Sequence, residues 1–130
     1  MAVLKTDPRF GIYIHWPYCE SKCPYCDFNS HVRDTLEQDR WLSAYLTELD
    51  SALTFYGKIN IDTIFFGGGT PSLMEPYLVE SILQGIKSRF GFQENIEITL
   101  EANPSSSEVS KFKSLYKAGI NRLSLGVQSF

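Results

Sequence analysis

The chain has 130 residues, of which 43% are hydrophobic and 21% charged, a composition typical of a folded globular domain. Its 12 basic and 15 acidic residues give a formal net charge of −3, and no basic cluster of the kind that binds nucleic acid is present. No apolar stretch approaches the ~20 residues that span a bilayer, and the amino terminus lacks a secretory signal pattern. We therefore expect a cytoplasmic protein that does not bind nucleic acid.

The first predicted strand comprises residues 10–15, because apolar residues alternate there and include the β-branched Ile12 and Ile14. Residues 1–9 are interpreted as an amino-terminal extension. A loop that carries every cysteine of the chain follows the carboxyl end of this strand. In parallel α/β folds ligands bind at that edge of the sheet, so the position indicates a functional loop.

The three cysteines have the spacing Cys19-x-x-x-Cys23-x-x-Cys26, which lets three thiolates hold one compact inorganic centre. A four-iron cluster bound in this way leaves one iron open to a small molecule. A structural zinc site completed by His15 or His31 is the alternative, although such sites usually combine two short ligand pairs across a longer spacer. A disulfide is disfavoured by the odd cysteine count and the missing signal.

A helix is predicted after the cysteine loop, opened by the capping-box pattern Thr35-x-x-Gln38 and ended by Gly57. Its apolar residues at helical spacing are Leu42, Tyr45, Leu46, Leu49 and Leu53. The next predicted strand, residues 61–66, leads directly into the sequence Gly67-Gly68-Gly69-Thr70-Pro71. Glycines at a strand end allow a ligand close to the backbone, and a simple tight turn is the alternative.

The rest of the chain repeats the alternation of helix and strand. The pattern Ser72-x-x-Glu75 predicts the start of a second helix, residues 96–101 a third strand, and Ser105–Ser107 the cap of a third helix that ends before Gly119. Core positions are expected at Leu78, Val79, Ile82, Leu83, Ile86 and Phe90 in the second helix and at Val109, Phe112, Leu115 and Tyr116 in the third. A fourth strand is predicted from the alternation of Leu123, Leu125 and Val127.

This βαβαβαβ order predicts an α/β fold with parallel strands and crossover helices, a partial (βα) barrel or its opened relative. Four strands do not close a barrel, and the fourth has no covering helix after it. We therefore expect the chain to be a fragment, or one half of a protein that a second polypeptide completes.

The stretch from Tyr13 to His31 resembles the radical S-adenosylmethionine (SAM) superfamily, and Cys26-Asp27-Phe28-Asn29-Ser30-His31 resembles its coproporphyrinogen-III-oxidase-like branch. The resemblance extends over residues 10–130, which it identifies as the amino-terminal portion of a radical SAM core domain. It implies that the three cysteines are ligands of a 4Fe-4S cluster whose open iron binds SAM. It also implies reductive cleavage of SAM to methionine and a 5′-deoxyadenosyl radical.

The same resemblance implies the residues that would contact SAM. They are Tyr13, Tyr25, Gly68, Gly69, Thr70, Glu101 and, lining a second SAM, Gln128. Alternatives remain for three of them: packing for Tyr13, shielding of the cluster for Tyr25, and a solvated or structural carboxylate for Glu101.

Two activities are implied by the branch: a haem chaperone that delivers haem to respiratory proteins, and an oxygen-independent coproporphyrinogen III oxidase. The oxidase carries a further cysteine two positions after the third ligand, where this chain has Phe28, so the chaperone is favoured. An inactive fragment of either is a third possibility. Expected partners are SAM, haem or a porphyrinogen, and an electron donor protein. Neither histidine is convincing as an axial haem ligand, so haem binding is expected in a longer protein.

Overall fold

The computed structural model describes residues 1–6, 9–18, 30–102 and 106–126 of the chain. The side chains of residues 4–6, 30–36 and 106–109 are not among the described features. The elements in order are β1 (Ala2–Thr6), β2 (Arg9–Trp16), α1 (Ser30–Tyr56), β3 (Asn60–Gly68), a 3-10 helix (Pro71–Leu73), α2 (Pro76–Arg89), β4 (Gly91–Ala102), α3 (Ser106–Ala118) and β5 (Arg122–Leu125).

The strands form one sheet in the order β1-β2-β3-β4-β5, in which β2 to β5 are parallel. The predicted α/β fold with parallel strands and crossover helices is therefore confirmed. The structure adds β1, which pairs antiparallel with β2 from Ala2 opposite Tyr13 to Thr6 opposite Arg9. Most of residues 1–9, which we interpreted as an amino-terminal extension, therefore forms a strand of the sheet.

One face of the sheet packs against the helices and forms the core. On β2 the inward residues are Ile12, Ile14 and Trp16, each at most 3% exposed. The helices contribute the buried residues Tyr45, Leu49, Leu78, Val79, Ile82, Leu83, Ile86 and Leu115. The six core positions predicted around α2 are all buried, and full burial of such side chains stabilises the fold by about 1.5–3 kcal/mol each.

Both predicted capping boxes are wrong. Helix α1 begins at Ser30, so Thr35 lies inside it, and α2 begins at Pro76 with Glu75 as the residue before its first turn. Ser72 instead lies buried in the 3-10 helix. The proline explains the later start of α2, because its fixed φ and missing N–H suit the first helical position.

The predicted helix ends are correct at two glycines. Gly57 has φ +74° and donates its N–H to the carbonyl of Leu53 at 2.8 Å, and Gly119 has φ +130°. A left-handed residue after a helix satisfies carbonyls that the last turn leaves open, and glycine adopts this conformation without steric cost. The inward orientation expected for Tyr116 is wrong, since its side chain is 72% exposed while Leu115 is buried.

Candidate functional site

The second face of the sheet carries several side chains that remain wholly or partly exposed. Residues alternate between the faces, so this open face bears Tyr13 and His15 on β2, Phe65 on β3, and Glu101 on β4. The parallel strands bring their carboxyl ends to one edge, where His15 pairs with Gly67. The predicted strands that correspond to β2, β3 and β4 therefore end at one edge of the sheet.

The closest approach at this edge is made over Gly67. A Cβ atom at Gly67 would lie 2.5 Å from Oε1 of Glu101 and 2.8 Å from ring atoms of both Tyr13 and Phe65. No side chain fits at this position without moving its neighbours, so glycine is what allows the carboxylate and the two rings to converge. The sequence analysis assigned roles to Gly68 and Gly69 but not to Gly67, whose importance depends on contacts with two other strands.

Tyr13 is fixed by its neighbours on the open face. Its hydroxyl lies 3.3 Å from Nδ1 of His15, and its ring stacks on Phe65 with centroids 6.0 Å apart and an interplanar angle of 14°. Partial burial, and after it the negative charge of Glu101, raise the pKa of Tyr13 above its ordinary value. The phenol therefore stays protonated at neutral pH and can donate a hydrogen bond.

The segment from Gly68 to Thr70 holds the chain that leads into the cysteine loop. The N–H of Gly69 donates to the carbonyl of Trp16 at 2.7 Å, and the N–H of Thr70 donates to that of Tyr18 at 2.6 Å. Gly68 has φ +118°, and an added Cβ would lie 2.5 Å from the Trp16 carbonyl. These two N–H groups donate to carbonyls of the protein itself, so the glycine run does form the tight turn that was the alternative to ligand binding. Contacts of Gly68, Gly69 and Thr70 with SAM stay a prediction.

Aromatic side chains on the helix side brace the same segment. Trp41 of α1 donates its Nε1–H to the hydroxyl of Tyr18 at 3.2 Å, and Tyr45 donates its hydroxyl to the carbonyl of His15 at 2.5 Å. The Trp16 ring packs against both Tyr18 and Trp41, with its centroid 5.0 Å from that of Tyr18 and 5.9 Å from that of Trp41. The sequence analysis missed this cluster, although aromatic residues four apart on α1 were a usable signal.

Several predicted residues lie outside the described part of the chain. They are Cys19, Cys23, Cys26, Tyr25, Phe28 and Gln128. The side chain of His31 is also not described. Among the described residues, no group of three or more His, Cys, Asp or Glu side chains could hold a metal ion. The ligand set therefore stays a prediction from the cysteine spacing.

Comparison with known proteins settles the family. The model of the radical SAM superfamily matches residues 13–130. The chain belongs to the radical SAM superfamily. Among its relatives, the heme chaperone HemW of Haemophilus influenzae is 46% identical over 129 residues and that of Escherichia coli 42% identical over 124 residues. Each alignment covers 95% of this chain and 33% of the relative.

Two further relatives extend the comparison. The mouse protein named radical S-adenosyl methionine domain-containing protein 1, mitochondrial, is 39% identical over 121 residues, which is 93% of this chain and 27% of the mouse protein. The solved structure of coproporphyrinogen III oxidase (HemN) from Escherichia coli, a radical SAM enzyme, matches this chain with a TM-score of 0.72 and 30% sequence identity. That match covers 92% of this chain and 28% of the oxidase, and it confirms that the sheet is part of a radical SAM fold.

The chain spans about a third of the length of the relatives that it matches. The predicted resemblance to the radical SAM superfamily, and within it to haem chaperones and the oxidase, is confirmed. In the described part of the chain, no helix is long and apolar enough to cross a membrane.

Proposed function

We propose that this chain holds a 4Fe-4S cluster through Cys19, Cys23 and Cys26, binds SAM at the carboxyl edge of its sheet, and acts as a haem chaperone. The observation that carries the proposal is the convergence of Glu101 and Tyr13 over Gly67. These residues lie towards the carboxyl ends of three neighbouring strands, of which β2 leads into the cysteine loop.

The side chains present fit SAM chemically. A carboxylate accepts hydrogen bonds from a ribose diol or an ammonium group, and Glu101 lies half-buried where such a bond is strengthened by partial exclusion of water. The protonated hydroxyl of Tyr13 supplies a donor beside it. The glycine at position 67 brings both groups close to the backbone.

The described residues would orient the ligand and position the cysteine loop. The hydrogen bonds from Gly69 and Thr70 to Trp16 and Tyr18 fix the chain just before Cys19 relative to Glu101 and Tyr13. When bound and reduced, the cluster supplies one electron for cleavage of the C5′–S bond of SAM. The protein contributes orientation and exclusion of water.

The choice of chaperone over oxidase depends on two observations. The relatives that are 42–46% identical to the chain are named heme chaperones, whereas the oxidase structure is 30% identical. Phe28 also occupies the position of the further cysteine of the oxidase. We further propose a reducing compartment, the cytoplasm, because thiolate ligands and an oxygen-sensitive cluster require one. Partners would be an electron donor protein and respiratory haem proteins.

The first test is anaerobic reconstitution with iron and sulfide. We expect about four irons per chain, an absorption spectrum that SAM perturbs, and loss of both in a variant with all three cysteines replaced by serine. Stoichiometric zinc without iron would refute the cluster. Glu101→Gln should weaken SAM binding at least tenfold, whereas Glu94→Gln, an exposed carboxylate on the same strand, should not.

The second test separates the two activities. Haem loaded on the protein should move to an apo-haem protein, measured by absorbance of the acceptor, without decarboxylation of coproporphyrinogen III. Decarboxylation with dithionite and SAM would support the oxidase instead. Formation of 5′-deoxyadenosine, followed in parallel, reports whether SAM is cleaved in either case.

A further inference from the structure

Four residues on neighbouring parallel strands form one row across the open face. Tyr13 pairs with Phe65, Phe65 with Thr99, and Thr99 with Arg122. Neighbouring strands lie about 4.8 Å apart, so the row extends over roughly 14 Å from the backbone of Tyr13 to that of Arg122. The guanidinium of Arg122 reaches back to Oγ1 of Thr99, whose side chain is buried. We call it the open-face row. It combines two stacked aromatic rings at one end with a cation at the other.

The guanidinium of Arg122 is held weakly. Its Nη1 lies 3.5 Å from Oε1 of Glu97 and 3.5 Å from Oγ1 of Thr99, both at the long limit of such contacts. The side chains of Arg122 and Glu97 are 55% and 53% exposed. Exposed pairs of this kind exchange readily, and a guanidinium carries five N–H donors in a planar fork that suits a carboxylate.

We propose that Arg122 binds a carboxylate of a second ligand whose planar, apolar part lies against Tyr13 and Phe65, and that this ligand is a tetrapyrrole bound through a propionate. The inference rests on the proposed function and names the ligand group that the same face would bind. Glu97 and Glu101 repel an anion on this face, so a carboxylate ligand needs the counter-charge that Arg122 provides.

SAM is the other source of a carboxylate. The family resemblance assigns the SAM carboxylate to the open iron of the cluster. Arg122 comes two residues before Ser124, the residue that pairs with Glu101, and so lies further from the carboxyl ends of the strands. A planar ring system with a carboxylate at its periphery matches the sequence of groups along the open-face row better than the flexible chain of SAM does.

The test compares four ligands by equilibrium titration of the reconstituted protein: hemin, hemin dimethyl ester, SAM and decarboxylated SAM. Arg122→Gln should weaken hemin at least tenfold and leave the dimethyl ester unchanged, because the ester has no free carboxylate. Arg122→Lys should lose less, since it keeps the charge but not the planar fork. The control Arg40→Gln removes a guanidinium from the exposed surface of α1 and should change nothing.

Glu97→Gln separates binding from a structural role. If Arg122 binds the ligand, removal of its competing partner should leave hemin affinity unchanged or raise it, while a purely structural pair predicts that both variants weaken binding alike. The direction of the change in hemin affinity of Glu97→Gln remains informative if Arg122→Gln fails to fold, which circular dichroism would reveal.

The remaining outcomes each decide the matter. Equal affinities of the wild type and the Arg122 variants for every ligand that the wild type binds would overturn the inference and leave the proposed function standing. A loss confined to SAM and absent with decarboxylated SAM would overturn the tetrapyrrole assignment. Failure of the wild type to bind SAM would refute the proposed function itself, and the inference with it. Failure to bind hemin alone would overturn only the inference, because haem binding is also expected of a longer protein.

Discussion

Gly67→Ala tests the packing at the candidate site most directly. The new methyl group would lie 2.5 Å from Oε1 of Glu101 and 2.8 Å from the rings of Tyr13 and Phe65, where 3.4 Å is ordinary van der Waals contact. The Glu101 carboxylate can rotate away at little cost, but the stacked rings of Tyr13 and Phe65 cannot both move without disturbing their packing on the sheet. Insertion of one methyl group into a packed site costs about 1–3 kcal/mol.

Part of that cost is offset in the unfolded state. Replacement of glycine by alanine reduces the entropy of the unfolded chain and contributes about 0.4–1 kcal/mol where the native conformation suits alanine. The φ angle of Gly67 lies outside the left-handed region, so this gain applies. We therefore expect a net loss of about 1–2 kcal/mol in the free energy of unfolding, and at least tenfold weaker SAM binding because Tyr13 and Glu101 are displaced.

The assay combines urea denaturation with anaerobic SAM titration, and Gly126→Ala is the matched control. Among the described residues, a methyl group at Gly126 would meet nothing within 4 Å, so SAM affinity should not change and stability should rise only by the unfolded-state gain of about 0.4–1 kcal/mol. Wild-type stability in Gly67→Ala would show that the three groups do not converge as described. A loss of stability with unchanged SAM affinity would place the SAM site elsewhere.

Three further predictions concern stability. Tyr45→Phe should cost about 1–2 kcal/mol, because the carbonyl of His15 loses its buried donor, while Tyr77→Phe, which loses an exposed bond to Asp39, should change stability by less than about 0.5 kcal/mol in the same denaturation assay. Phe66→Ala should cost about 3–5 kcal/mol and Phe55→Ala, at 81% exposure, almost nothing; equal effects would contradict the assignment of the core face. The hydrogen bond from Arg89 lowers the pKa of Asp50, so its stabilisation is present above the ordinary pKa of 3.8 and is lost as pH falls through the lower folded pKa. The difference in stability between wild type and Asp50→Asn should therefore be constant near neutrality and vanish in acid, and a difference that grows in acid would contradict the pairing.

The parallel strands and most of the core were predictable because their signals are local. Four of the six residues from Ile61 to Phe66 are apolar, and the apolar residues of α2 recur at helical spacing, so the burial of these elements follows from local sequence patterns. That the strands carrying Tyr13, Gly68 and Glu101 end at one edge of the sheet followed from the rule that parallel strands point the same way.

What the sequence did not reveal depends on contacts between distant residues. Strand β1 is short and gains its stability from pairing with β2, which no pattern within Ala2–Thr6 indicates. Ser72 and Thr35 fit a capping-box pattern, yet α1 begins before Thr35, at Ser30, and Pro76 sets the first turn of α2. The role of Gly67 arises from side chains on β2 and β4, and nothing within the glycine run distinguishes it from its neighbours.

The clamp on the Trp16 and Tyr18 carbonyls also constrains how this sequence can vary over evolutionary time. An added or deleted residue between Trp16 and Cys19 would displace the carbonyl of Tyr18 from the N–H of Thr70, whatever the side chains in this interval. Length changes in this interval should therefore be eliminated by selection, even in lineages where the surrounding residues have diverged.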